Sequence, residues 1–132
     1  MDLSNIVAGI NFEKEYIVEA KDTAAVFGNK NVPVFATPRL CSWLEETCIE
    51  SVKPFLPAGA ETVGTSISFK HMAATPIGMK VRVVVNLTEV NGKMLQFTVK
   101  AYDELDKICE GEHGRAIIDL KKFMSRVETK GK

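Results

Sequence analysis

Two alternating runs, MKVRVVVNLTEV (residues 79–90) and KMLQFTVKAYDE (93–104), face each other across Asn91-Gly92. The alternation puts Val81, Val83, Val85 and Leu87 on one side of the first run, and Leu95, Phe97, Val99 and Ala101 on one side of the second. A period of two marks a half-buried strand, and Asn-Gly tolerates the positive φ that tight hairpin turns need. The pair reads as an antiparallel hairpin with one apolar side, and that side must be covered by another layer.

The cover is TPRLCSWLEETCIESVKPFL, residues 37–56. Leu40, Leu44, Cys48 and Val52 recur every four residues with Cys41 beside them, which is one apolar face of a helix. Thr37 is read as the N-cap, with Pro38 at the first helical position, where its missing N–H costs nothing. Pro54 and Pro57 end the pattern. Further strands are read in FEKEYIVE (12–19), ETVGTSISFKHM (61–72) and ICEGEHGRAIIDL (108–120), the last weakened by Gly111 and Gly114. Residues 21–36 form a long loop, and the C-terminal KKFMSRVETKGK a short helical end that frays. The fold class is α+β: one single domain over residues 1–132, one long helix wrapped by a five-stranded antiparallel sheet, with the last four strands expected as a meander. The sheet's outer face and edges stay partly apolar, so a homodimer, possibly a tetramer, is expected.

Charge excludes little but points nowhere: 17 basic residues balance 17 acidic ones, so no basic stripe indicates nucleic acid. The N-terminus has no basic start and no long apolar run, and no segment has the roughly 18 apolar residues needed to cross a bilayer. Neither a secretory leader nor a membrane is expected. The cysteines, Cys41, Cys48 and Cys109, are odd in number and lack a C-x-x-C spacing, which argues against disulfides and zinc and fits a reducing cytoplasm. No phosphate-binding glycine loop or G-x-S-x-G elbow occurs, and two histidines without spaced acidic partners give no metal site.

Chemistry must come from a few side chains. In SFKHMAATPIGM the strand ends at His71, which parity places with Val63, Ile67 and Phe69 on the helix side. A histidine there is either a structural group satisfying backbone at a strand end, or a general acid–base. Glu45 falls on the edge of the helix stripe, on the side of Cys41 and Val52, partly desolvated unless it bends outward. Thr37 has its hydroxyl explained by capping, and the eight-residue gap to Glu45 is about 12 Å of helical rise, so the two cannot touch as neighbours on one straight helix, and a joint role needs substrate between them or the loop before the helix folding back. Gly64 interrupts a good strand: a bulge, or a backbone N–H left free for an oxyanion. Arg115 reads as an exposed salt-bridging arginine by default and as an acyl or phosphate anchor otherwise. His113, two residues earlier, is expected at the surface.

The segments VFATPRLCSWLEE, VGTSISFKHMAATPIGM and YDELDKICEGEHGRAII together resemble the fluoroacetyl-CoA thioesterase-like branch of the hotdog-fold thioesterases. The likeness runs from the first strand to Phe123, and the H-x-A-A-T-P-x-G block is its most specific part. It implies a hotdog fold and hydrolysis of an acyl thioester at a dimer interface. The family's threonine, glutamate and histidine fall on Thr37, Glu45 and His71, its active-site glycine on Gly64, and its acyl-pocket arginine on Arg115. The glycine would come from the partner chain. The substrate would be an acyl-CoA or acyl-carrier thioester, with no cofactor beyond CoA itself, and Phe35, Trp43 and loop 21–36 would set pocket depth. One departure stands out. The family's specific enzyme carries a phenylalanine lid just before its F-A-T segment, whereas here NKNVPV precedes Phe35 and the nearest earlier aromatic is Phe27. The acyl group is therefore expected to differ from fluoroacetyl. The alternative is a non-catalytic hotdog protein that binds an acyl thioester or another small ligand. A hydratase is disfavoured, because no aspartate–histidine pair shares a helix segment.

Overall fold

The computed structural model describes all 132 residues in the order β1 (Asn11–Ile17), α1 (Thr37–Val52), β2 (Ala60–His71), β3 (Lys80–Asn91), β4 (Met94–Tyr102), β5 (Lys107–Asp119) and α2 (Leu120–Lys130). The hairpin forms as its alternation requires, with Asn91 opposite Met94 and Gly92 at φ +61° in the turn. Val81, Val83, Val85, Leu87, Leu95, Phe97, Val99 and Ala101 are all buried against α1. The helix meets them with Leu40, Leu44, Cys48 and Val52, each fully buried, and with a second row of Trp43, Thr47 and Ser51. Each such aliphatic side chain contributes about 2 kcal/mol by leaving water, so this layer carries the fold.

The five strands form one antiparallel sheet in the order β1-β3-β4-β5-β2. Only β3, β4 and β5 make a meander; β2 lies at the far edge beside β5 rather than beside β3. The reason is that β1 occupies the free edge of β3, from Asn11 opposite Asn86 to Ile17 opposite Lys80. The segment 72–79 must then cross the end of the sheet, and its hydrogen bonds trace the route. Met72 N–H donates to Ile108 O on β5, and Gly78 N–H donates to Val18 O just past β1. Midway, the fully buried Thr75 donates its hydroxyl to Asp103 at the β4–β5 turn (2.9 Å), and its carbonyl accepts from Phe35 N–H (2.9 Å). The Ala-Ala-Thr-Pro block is thus a strap that ties the end of β2 to the loop before α1.

At three places the local structure differs from what the pattern predicts. A register shift between Gly64 and Ser66 makes a bulge in β2. Ala60 and Thr62 face inward before it, and Ile67, Phe69 and His71 are turned inward after it, so Val63 does not share the face of Ile67. At the helix start, Thr37 is already helical and Ala36 is the cap residue, with no side-chain capping bond. α2 is longer than a frayed end, opening with Asp119, which accepts from Lys122 N–H, but it buries no residue. No helix is long and apolar enough to cross a membrane.

Candidate active site

Two backbone bonds fix the chain just before α1. Ala36 N–H donates to Asp22 O, and Phe35 N–H to Thr75 O, both at 2.9 Å. Asp22 is buried and also sits 3.1 Å from Arg39 Nε one helical turn later. The Thr37 side chain is therefore delivered to a fixed place, and there its hydroxyl lies 2.8 Å from His71 Nδ1. Freed from capping, Thr37 pairs with the imidazole that ends β2. Phe35 supports the pair from below: its ring meets the imidazole edge-on at 5.9 Å and packs on Trp43 at 4.5 Å. Burial holds the His71 pKa below its ordinary value, and its Nε2 is shielded from solvent with no partner in the chain. The cleft above the pair holds about 310 Å³ and is lined by Phe35, Thr37, His71, Val34 and Met72. Phe27 is not part of this lining; its ring lies under the Arg39 guanidinium.

Glu45 belongs to a second group. Its carboxylate lies 3.6 Å from Arg115, and Cys41 Sγ contacts it at 3.8 Å. It does not hydrogen-bond to Thr37 or His71. Gly64 lies against it in the same chain, so close that a Cβ there would stand 3.0 Å from Glu45 Oε2. The partner chain is not needed to bring Gly64 to Glu45. A cleft of about 260 Å³ opens here, lined by Glu45, Gly64, Thr65, Ser66, Ile67 and His113.

Arg115 is not the exposed residue its type suggested. It is only 3% exposed, donating from Nε to Thr62 Oγ1 (2.9 Å) and from a terminal nitrogen to Thr62 O (2.8 Å). His113 likewise is buried rather than at the surface, because odd-numbered residues of β5 from Cys109 to Ile117 face the core. That parity, shared with Cys109 and Ile117, was the signal available for it. Its Nδ1 meets Ser66 O at 2.7 Å, and its Nε2 meets a terminal nitrogen of Arg115 at 3.1 Å. The site residues thus gather as a hydroxyl–imidazole pair at the start of α1 and a carboxylate–guanidinium pair two turns further on. No group of three or more His, Cys, Asp or Glu side chains is placed to hold a metal.

This arrangement can be set beside known proteins. The model of the family described as fluoroacetyl-CoA-specific thioesterase matches residues 18–121. A curated fluoroacetyl-CoA thioesterase of Streptantibioticus cattleyicolor is 40% identical over 97 residues, 74% of this chain and 70% of its own. A solved threonine-to-serine mutant of the fluoroacetyl-CoA thioesterase FlK, in complex with acetyl-CoA, superposes with a TM-score of 0.89 at 33% identity, covering 95% of this chain and 98% of that one. A hot-dog-like protein from Thermanaerovibrio acidaminovorans, 20% identical, shares the fold alone, with a TM-score of 0.90 over 98% of this chain and 97% of its own. The match spans both halves of the site as well as the helix and strands that hold them, and the chain belongs to the fluoroacetyl-CoA-specific thioesterase family of the hotdog fold.

Proposed function

We propose that this protein hydrolyses a small acyl-CoA thioester with Thr37, Glu45 and His71 as the reacting groups, at a site completed by a second copy of the chain. The observation that carries the proposal is the Thr37 hydroxyl, turned from its own helix end toward His71 Nδ1 at 2.8 Å. A hydroxyl held by an imidazole is ready to lose its proton or to orient water. Family membership supplies the reaction class, thioester hydrolysis. In one route Glu45 takes a proton from water as the water oxygen adds to the acyl carbon; the C–S bond breaks, and that proton passes by way of His71 to the leaving thiolate. In the other the Glu45 carboxylate attacks the acyl carbon and expels the thiolate; water then hydrolyses the resulting anhydride, frees Glu45, and gives its proton through Thr37 and His71 to the thiolate. The N–H groups of Gly64 or of the first turn of α1 hold the oxyanion.

Thr37 and Glu45 stay about 12 Å apart along the helix, so substrate and a neighbouring chain must fill the space between. One edge of β2 has no strand beside it, and the Gly64 bulge lies on that strand. A second copy pairing there would roof the Glu45 cleft and give a homodimer. The carrier is CoA or an acyl carrier protein, and three free thiols, two of them buried, fit a reducing cytoplasm. No phenylalanine occurs in residues 28–34, so the preferred acyl group differs from fluoroacetyl. The separation of the two groups also favours a second reading, a binding protein without turnover.

Thiol release from short, branched, aromatic and fluorinated acyl-CoAs decides between them, with Glu45→Gln run alongside. Turnover on one class, lowered about 100-fold or more in the variant, supports the thioesterase. No turnover on any of them, with the protein folded and dimeric, moves the reading to a binding protein or to a thioester on an acyl carrier protein.

A further inference from the structure

We propose that His113 is a positioning residue: as a neutral imidazole it accepts a hydrogen bond from Arg115, and so fixes the guanidinium that faces the Glu45 carboxylate. The inference rests on the reading of Glu45 as a reacting group. Its basis is that both ring nitrogens have partners with only one possible role. A guanidinium has donors and no acceptor, so His113 Nε2, 3.1 Å from Arg115, must present its lone pair. A carbonyl oxygen only accepts, so Nδ1, 2.7 Å from Ser66 O, must carry the proton. One tautomer satisfies both, the neutral Nδ1–H form.

Arg115 is left with no freedom. Its Nε and one terminal nitrogen are bound to Thr62, and the other terminal nitrogen is shared between His113 and Glu45, at 3.1 and 3.6 Å. Without His113 that nitrogen would be held only by the half-exposed carboxylate it is meant to place. The Gly64 bulge completes the arrangement, since its missing Cβ leaves room for Glu45 Oε2, Arg115 and the His113 ring together.

The groups facing the ring are few: Arg115 on its own strand, Glu45 from α1, the Ser66 carbonyl from β2 and the Phe97 ring from β4. Burial, aided by Arg115, holds the His113 pKa below its ordinary 6.5, while the Ser66 carbonyl and Glu45 oppose that shift. Protonation would set an N–H against a donor and a cation against a cation. The ring therefore serves as a fixed acceptor at neutral pH, not as a proton carrier.

The first test is ¹⁵N NMR of the histidine rings of the unmodified protein near neutral pH. The neutral Nδ1–H tautomer at His113 is expected; an Nε2–H tautomer or a charged ring overturns the proposal, and no variant needs to fold for this result. The second test is kinetic. His113→Leu keeps the bulk and loses the acceptor, and kcat is expected to fall about 10- to 100-fold with KM little changed. His113→Gln keeps an acceptor for Arg115 and is expected to recover most of that loss. On an Arg115→Met background the leucine change is expected to cost nothing more, because the residue acts through Arg115. His113→Leu with the kcat of the parent, while Glu45→Gln is inactive, would overturn this inference alone. Full turnover in Glu45→Gln would overturn the functional reading instead.

Discussion

The Thr37 hydroxyl has two uses open to it, and they differ in what a substitution removes. A capping hydroxyl supports the helix and its loss costs about 1 kcal/mol of stability. A hydroxyl bound to His71 supports a reaction. Thr37 sits inside the first turn rather than at the cap, and its oxygen is spent on Nδ1. Thr37→Ala is therefore expected to lower kcat about 100-fold while costing no more than about 1 kcal/mol, and Thr37→Ser to restore most of the rate. Thermal unfolding and thiol release on the same samples check both numbers, and an alanine variant with full turnover removes Thr37 from the mechanism. The sequence placed Thr37, Glu45 and His71 on the right elements but described their surroundings poorly. Capping by Thr37 was the cheaper explanation from local chemistry, and only the strap through Thr75, distant in sequence, brings His71 within reach of it. His113 and Arg115 were read by residue type, which favours the surface, although their shared parity with Ile117 pointed inward.

At the scale of elements, β2 shows why alternation alone misleads. A single bulge inverts every residue beyond it, and nothing in ETVGTSISFKH except Gly64 announces one. The same limit applies to strand order. Periodicity identified all five strands and the long helix α1, but it says nothing of which edge β1 takes, and β1 beside β3 is what sends β2 to the far side of β5. Where β2 meets β5, two glycines do different work. A Cβ on Gly111 would stand 2.5 Å from Phe69 Cα, so β2 itself would have to move away from β5. A Cβ on Gly64 would stand 3.0 Å from the far end of the Glu45 side chain, which can yield by a few tenths of an ångström. Gly111→Ala is expected to cost about 3 kcal/mol. Gly64→Ala is expected to cost under about 1 kcal/mol yet to lower kcat about tenfold, because the carboxylate moves off its place. Denaturant unfolding and steady-state kinetics separate the two, and equal losses of stability would show that the bulge is held as tightly as the strand.

At the scale of the whole molecule, the two histidines couple the fold to pH in one direction. Burial holds both His71 and His113 below the ordinary value of 6.5. Above 6.5 both rings are neutral in the folded and the unfolded chain, and they contribute no pH dependence. As pH falls below 6.5 the unfolded chain takes up protons that the folded chain refuses, so stability declines until the folded values are passed. Asp103 adds a later step of the same sign. Burial alone would raise its pKa, but N–H groups of Asp106 and Leu105 and the Thr75 hydroxyl outweigh it and hold the carboxyl below 3.8. Its stabilisation is therefore present above 3.8 and lost as pH falls through the lower folded value. The strap at Thr75 and the site at His71 thus weaken together in acid, the histidines first. The unfolding midpoint, measured at one protein concentration, is expected to be flat between about pH 7 and 8, below the range where the buried thiols of Cys48 and Cys109 would ionise in the unfolded chain, and to fall steadily below 6.5. His113→Gln, which cannot titrate, is expected to make that fall shallower without abolishing it, since His71 remains. A midpoint that rises as the solution is acidified below 6.5 would mean that the folded chain binds the extra protons, and that neither ring is kept neutral by its surroundings.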